Sequence, residues 1–490
     1  VKICFVTSEI APFSKSGGMG DVCRALADAL AARGHEVVTV SPRYASVPLD
    51  DLSFTGTVFD VPGGAHGLRV GIHEVTRHGV RHLFVDHAVF HRGGLYGDEH
   101  GAFGDNHLRF AALSRAALEA AHRVVGWSDE EVLFHAHDWQ TALVPVLLDA
   151  VYRPVGRFER AASVLTLHNP AHQGRLPARL FHDLDLSSRW FGPATLEFYG
   201  DLGLLKGGIL WADQLTTVSP TFARDIVQPG GGFGLEGVIA LRSDVLTGIL
   251  NGVDVSEWNP ADDPAIEAPF TAESLEGKAR CKAALQVELG LPADPSVPLV
   301  GSVGRLDPQK GVELLVDSIP WLVSEGAQVV VLGSAAAAHR RYEGQLRALE
   351  KAHPHHVRAW IGFQEGLAHR IEAGADLFAM PSMFEPCGLN QLYSMRYGTV
   401  PVVRRTGGLA DSVQEVDAAA ATGTGFLFDV PHGKALRDAL YRGLHLFRTD
   451  PEAFDEVRRR GMRRDSSWGP AVDAYLEVYR AAFEGRGPTG

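Results

Sequence analysis

The sequence predicts an α/β protein of two Rossmann-like domains facing a central cleft. Two observations carry this. A strand, glycine turn, helix, strand order opens the chain and restarts near residue 297, and each half holds one glycine cluster just after an apolar run. "KICFVTSE" (Lys2–Glu9) is the first run of strand formers, followed by "SKSGGMGDV" (Ser14–Val22). Val22, Ala25, Leu26, Ala29 and Leu30 then recur at helical spacing, and Gly34 stops the helix after Arg33. "HEVVTVSPRY" reads as the next strand. This is the start of a doubly wound sheet, in which ligands collect at the carboxyl ends of strands.

The second half repeats the grammar. "VPLVGSVGRLDPQKG" (Val297–Gly311) is a buried-looking strand and loop before the periodic "VELLVDSIPWLV", and "AQVVVLGS" and "ADLFAMPS" continue the strand series. The halves join near "TGILNGVDVSEWNP" (Thr247–Pro260), and residues 261–292 read as a helical insertion. In "SSWGPAVDAYLEVYRAAF", Val472, Tyr475, Leu476, Tyr479 and Phe483 share one helical face, with Pro470 tolerated in the first turn. "EGRGPTG" after it reads as a frayed tail. The expected domains are 1–250, 251–469, and a crossover helix and tail at 470–490.

Composition excludes several function classes. Hydrophobic content of 45% with 21% charged residues describes a globular chain, and 490 residues exceed one core. The 46 basic against 59 acidic residues give a net charge of −13, which argues against nucleic acid as a partner while leaving room for a local anion pocket. Cys4, Cys23, Cys281 and Cys387 stand far apart, so reduced thiols are expected. No apolar run reaches membrane-spanning length, and the chain opens without a basic-then-apolar leader. The expectation is a cytoplasmic protein, or a plastid one if a transit peptide has been removed.

The chemistry concentrates in a few segments. The first glycine cluster comes with Lys15, Gly17 and Gly18, and "RTGGLADSV" brings Arg404, Arg405, Thr406, Gly407 and Gly408. Each could be an ordinary turn, or could open a helix whose free N–H groups hold an anion; the matched pair favours the anion. Arg305 and Lys310 in "GRLDPQKG" form either a solvated basic loop or a clamp for a diphosphate leaving group, the position after a buried strand favouring the clamp. "FHAHDWQT" offers His135, His137 and Asp138, and "TLHNPAHQG" offers His168 and Asn169. Neither histidine spacing is a common ligand pattern, so no metal is expected. Glu385 in "PSMFEPCGLNQL" suits either sugar-hydroxyl recognition or a structural ion pair.

Together these segments resemble bacterial glycogen synthases and plant starch synthases. The resemblance runs from "SEIAPFSKSGGMGDV" through "HAHDWQT", "LHNPAHQG", "LNGVD" and "GRLDPQKG" to "MPSMFEPCGLNQLYSMRYGTVPVVRRTGGLADSV". It implies a GT-B-type fold and a retaining transfer of glucose from ADP-glucose to the non-reducing end of an α-1,4-glucan (glycogen, starch or a maltooligosaccharide). No cofactor or metal is implied, and the oligomeric state stays undetermined. By resemblance Arg305 and Lys310 would hold the donor diphosphate. The Thr406–Gly408 loop would donate N–H groups to it, and Lys15 with Gly17 and Gly18 would close from the other domain. Glu385, Asn251 and His168 would surround the transferred glucose, Asp138 would lie toward the acceptor, and Phe363 in "IGFQE" would stack on the nucleobase. Position 393, eight beyond Glu385, is Tyr, so Glu385 is the single carboxylate of that motif. A UDP-glucose-dependent or disaccharide-forming relative and a silent glucan-binding scaffold are the rival readings.

Overall fold

The computed structural model describes residues 1–64, 67–128, 130–417, 419 and 421–485; most of the expected tail lies outside them. The chain divides into two compact units, Val1–Asn251 with Trp468–Gly490, and Gly252–Ser467. Both are Rossmann-like.

The N-terminal unit is built on β1 (Lys2–Val6), β2 (Glu36–Pro42), β3 (Ser53–Val61), β4 (Leu68–Arg77), β5 (Val80–Asp86), β6 (Val132–His137), β7 (Ala162–Leu167), β8 (Gln214–Thr217) and β9 (Leu246–Gly248). Their order in one sheet is β9-β8-β7-β6-β1-β2-β5-β4-β3. All pairings are parallel except β5-β4 and β4-β3, which form an antiparallel edge that the sequence reading did not anticipate. The reason is legible afterwards: β3 is exposed along most of its length and lacks the continuous apolar run of a two-sided core strand.

The first helix, α1 (Gly18–Ala32), starts inside the glycine cluster. Gly34 follows it with φ +86°, the left-handed conformation that terminates a helix without a Cβ penalty. Val22, Leu26 and Leu30 of α1 pack with Ile3, Phe5, Leu133 and Val164 of the sheet and with the C-terminal helix (Trp468–Glu484). That helix contributes Trp468, Val472, Tyr475 and Tyr479 to this core, with Leu476 and Phe483 half-buried beside them. The last helix therefore belongs to the N-terminal unit although the residues before it belong to the other.

The C-terminal unit holds β10 (Leu299–Val303), β11 (Gln328–Gly333), β12 (Val357–Ile361), β13 (Leu377–Met380), β14 (Val400–Arg404) and β15 (Phe426–Phe428), ordered β12-β11-β10-β13-β14-β15 and parallel throughout. The strand order reverses between β10 and β13, so the loops after these strands diverge at their carboxyl ends. The segment expected to be a helical insertion is helical only over Glu276–Glu288; residues 252–272 are turns and irregular chain. The insertion is pinned by Trp258, whose ring stacks between His369 (3.9 Å between centroids) and Tyr393 (3.7 Å). Asp263 is pinned too, accepting from Tyr397 Oη at 2.6 Å and bonded to His369 Nδ1 at 2.7 Å.

Candidate active site

In the C-terminal unit, the loop after β10 turns by rules readable in "LDPQKG". Asp307 Oδ1 accepts the Lys310 N–H at 3.1 Å, capping a short turn over Pro308–Lys310 in which proline takes a position that needs no donor. Gly311 ends the turn with φ +66°, and a Cβ there would lie 2.0 Å from the Pro381 carbonyl oxygen. Only glycine lets the turn sit so closely on the loop after β13. The Met383 N–H donates to the Gln309 carbonyl at 2.8 Å across the same contact.

This packing sets Lys310 against Glu385. Lys310 Nζ lies 2.7 Å from Glu385 Oε2, and Ser382 Oγ donates to the same oxygen at 3.0 Å. Glu385 is buried, while the Lys310 side chain keeps 27% of its surface. Arg305 is held through its NH1 by Asp307 Oδ2 at 3.0 Å and is 58% exposed, leaving most of the guanidinium to solvent. The site thus presents one solvated planar cation and one lysine whose charge is already matched by a carboxylate.

The second glycine cluster has a packing role that the sequence reading did not foresee. Gly407 has φ +44°, and a Cβ on it would lie 2.1 Å from the Glu385 carbonyl oxygen; one on Gly408 would lie 2.2 Å from that of Cys387. The Gly408 N–H donates to the carbonyls of Glu385 (3.1 Å) and Pro386 (3.0 Å). These glycines seat the Glu385 turn, and the Gly408 N–H is engaged within the chain. Thr406 precedes them in extended conformation. Phe363, just beyond β12, is 80% exposed and stands apart from the core, as a ring available for stacking must.

In the N-terminal unit, β6 delivers His135 and His137 and is followed by Asp138 in a left-handed conformation, φ +55°. Asp138 Oδ1 accepts the N–H groups of His168 (2.7 Å) and Asn169 (3.3 Å), fixing the chain as it leaves β7. Burial drives the Asp138 carboxyl up to about 7, outweighing those two donors. His168 is pushed down to about 4 by burial, and His137 well below its ordinary range by burial and then by the neighbouring His135 and His168. Both rings are therefore neutral near pH 7, sharing one bond, His137 Nδ1 to His168 Nε2, at 3.0 Å. His135 is saturated by Tyr479 Oη (2.8 Å) and Thr166 Oγ1 (2.6 Å). Asn251 is buried, and its Oδ1 has no hydrogen-bond partner among the described residues.

The first glycine cluster is organised by a residue that the sequence reading passed over. Glu9 Oε2 accepts the N–H groups of Ser16 (2.5 Å) and Gly17 (3.3 Å), while Oε1 accepts the hydroxyls of Ser16 (2.6 Å) and Tyr96 (2.5 Å). A carboxylate of the chain itself thus occupies two of the donors expected to face an anion. Lys15 Nζ pairs with Asp21 at 2.8 Å, and among the described residues nothing lies within 4 Å of a Cβ position on Gly17, so no packing demand there explains that glycine. Gly18 forms the first residue of α1. Cys23, one turn further on, reads from the sequence only as a reduced thiol; it lies with a nitrogen of His137 and one of His168, the three ligating atoms within 4.8 Å of one another. These groupings join segments far apart in sequence, so spacing could not reveal them. The Asp-Pro signature of the Lys310 turn was the one local signal available.

Comparison with known proteins bears on the whole chain. Residues 2–241 match the starch synthase catalytic domain model, and residues 290–453 match the model of glycosyl transferases group 1. A glycogen synthase of Anaeromyxobacter dehalogenans is 46% identical, covering 99% of this chain and 100% of that protein. The chain belongs to the glycogen and starch synthase family. A second member, the glycogen synthase of Paracidovorax citrulli, is 45% identical over 98% of this chain and 95% of its own. The potato soluble starch synthase 1 is 43% identical over 98% of this chain and 78% of its length. Among solved structures, the catalytic domain of starch synthase IV from Arabidopsis thaliana, bound to ADP and acarbose, superposes with a TM-score of 0.90 at 34% identity, covering 99% of both chains. A sucrose-phosphate synthase from Thermosynechococcus elongatus, at 18% identity and a TM-score of 0.62, shares the fold. This family member is a glycosyltransferase. No helix among its described residues is long and apolar enough to cross a membrane.

Proposed function

We propose that the protein transfers glucose from ADP-glucose to the non-reducing end of an α-1,4-glucan, with retention of configuration and without a metal. The observation that carries the proposal is the Lys310–Glu385 pair beside the solvated Arg305, at the strand ends of the C-terminal unit. Cations at that place suit a diphosphate, and a buried carboxylate beside them suits sugar recognition. The Arabidopsis relative bound to ADP and acarbose, a nucleotide and an oligosaccharide analogue, supports this choice of donor and acceptor.

In this reading Arg305 and Lys310 of the C-terminal unit hold the donor diphosphate with the Thr406–Gly408 loop, whose Gly408 N–H already serves the chain; in the N-terminal unit, Lys15, Gly17 and Gly18 are assigned to an anion as well, although Glu9 holds the Gly17 N–H. Glu385 in the C-terminal unit, and His168 and Asn251 in the N-terminal unit, are each assigned to hydroxyls of the transferred glucose; the unpartnered Asn251 Oδ1 supplies an acceptor for one hydroxyl. Phe363 stacks on the base, and Asp138 serves the acceptor side. The anomeric carbon breaks its bond to the phosphate oxygen and bonds the acceptor hydroxyl oxygen on the same face. The departing phosphate takes the hydroxyl proton, while the two cations stabilise its charge. A cytoplasmic location accords with the bacterial relatives; the plant relatives are named as chloroplastic or amyloplastic proteins.

The test is incorporation of labelled glucose from ADP-glucose, and separately UDP-glucose, into glycogen in the presence of EDTA. Transfer from ADP-glucose that survives chelation is the expected result. Transfer only from UDP-glucose would overturn the donor assignment. Glucan binding without transfer from either donor would leave a scaffold.

A further inference from the structure

Beyond the transfer reaction, the N-terminal unit assembles a donor set of which only His168 has a part in the proposed transfer. Cys23 lies on α1, His137 at the end of β6 and His168 just after β7, and one ligating atom of each falls within 4.8 Å of the others. Cys23 and His137 are wholly buried, and His168 is partly buried. His137 Nε2 is buried with no hydrogen-bond partner among the described residues, while its Nδ1 bonds His168 Nε2.

We propose that Cys23, His137 and His168 form a site for a soft divalent cation of the zinc type, and that its occupation inhibits the enzyme by sequestering His168. One thiolate and two imidazoles match the ligand preference of zinc, and three protein ligands leave a fourth position for water. On binding, the Cys23 Sγ–H bond is broken and its proton goes to solvent; each histidine gives the lone pair of an unprotonated nitrogen, the ring that donates in the shared His137–His168 bond changing tautomer where that nitrogen is the ligand. The thiol now donates to Thr7 Oγ1 at 3.4 Å, whose own proton goes to the Glu9 carbonyl at 2.8 Å. His135, bonded at both nitrogens, is left out of the set.

Only the inhibitory part rests on the role proposed for His168, and two readouts separate the claims. The first is cobalt(II) added to the full-length protein, with the thiolate-to-cobalt charge-transfer band as signal. The band is expected in the wild type and in Cys281→Ala, and absent in Cys23→Ser and Cys23→Ala. Cys23→Ser keeps the side-chain volume, so circular dichroism should show both variants folded. The second readout is glucan synthesis against zinc concentration. Zinc should inhibit the wild type, EDTA should reverse it, and Cys23→Ser should keep basal turnover while needing at least about tenfold more zinc. A missing band in the wild type, or a band that survives in both Cys23 variants, would overturn the site. A band in the wild type with unaffected transfer, or equal zinc sensitivity in Cys23→Ser, would overturn the inhibition. Should no transfer from ADP-glucose be detectable, the cobalt band still decides the site.

Discussion

Replacing Glu385 by Gln should separate recognition of the leaving group from turnover. In the structure Lys310 Nζ is 2.7 Å from Glu385 Oε2, so the lysine meets any diphosphate with its charge already matched. A phosphate bonded to the free side of that ammonium would sit about 5 Å from the carboxylate. At that distance the repulsion is about 3 kcal/mol at an effective dielectric of 20 and about 0.8 kcal/mol in water. Lys310 keeps 27% of its side-chain surface, so screening brings the figure toward the lower limit. Glu385→Gln should then tighten ADP binding by about 1 kcal/mol, roughly fivefold, while turnover falls at least about a hundredfold. Lys310→Ala should weaken ADP binding and turnover together. Calorimetry of ADP binding at low and high salt, beside steady-state kinetics, reads both quantities. Loss of ADP affinity in Glu385→Gln comparable to that in Lys310→Ala would refute the argument, because the two side chains would then act as one binding unit.

Three further outcomes follow from other sites. The Asp138 carboxyl is raised from an ordinary 3.8 to about 7, so the native state holds a proton that the unfolded chain releases between those values. Stability of the N-terminal unit should therefore fall as pH rises from about 4 to about 7, by up to about 4 kcal/mol. Asp138→Asn, which keeps an acceptor for His168 and Asn169 and tolerates the positive φ, should abolish that slope in denaturant titrations at several pH values; a slope unchanged in the variant would count against it. Tyr479→Phe removes the partner of buried His135 Nδ1 and should cost about 1–3 kcal/mol in the same unit, read by hydrogen exchange of β1 and β6. Phe363→Ala, at a residue 80% exposed, should leave thermal stability within about 0.5 kcal/mol while raising KM for the nucleotide sugar. An unchanged KM would remove Phe363 from the donor site.

The sequence by itself determined the two α/β units, the strands that lead into both glycine clusters, the amphipathic last helix and the family. Those rest on local periodicity, on turn chemistry such as Gly34 and "LDPQKG", and on ordered motifs along almost the whole chain. Tertiary structure alone decided which of these residues act on one another. Glu385 meets Lys310 because Gly311 lets one loop press on the next. Gly407 and Gly408 are glycines in part because the Glu385–Cys387 backbone runs about 2 Å from where their side chains would be. Glu9 and Tyr96 close on the first loop, and Cys23 meets His137 and His168, from positions that no spacing connects. The antiparallel edge β3-β4-β5 was equally hidden, since strands half-open to solvent carry a weaker apolar signal than the parallel core. Periodicity records which face of an element is buried; what that face touches is settled only when distant segments pack.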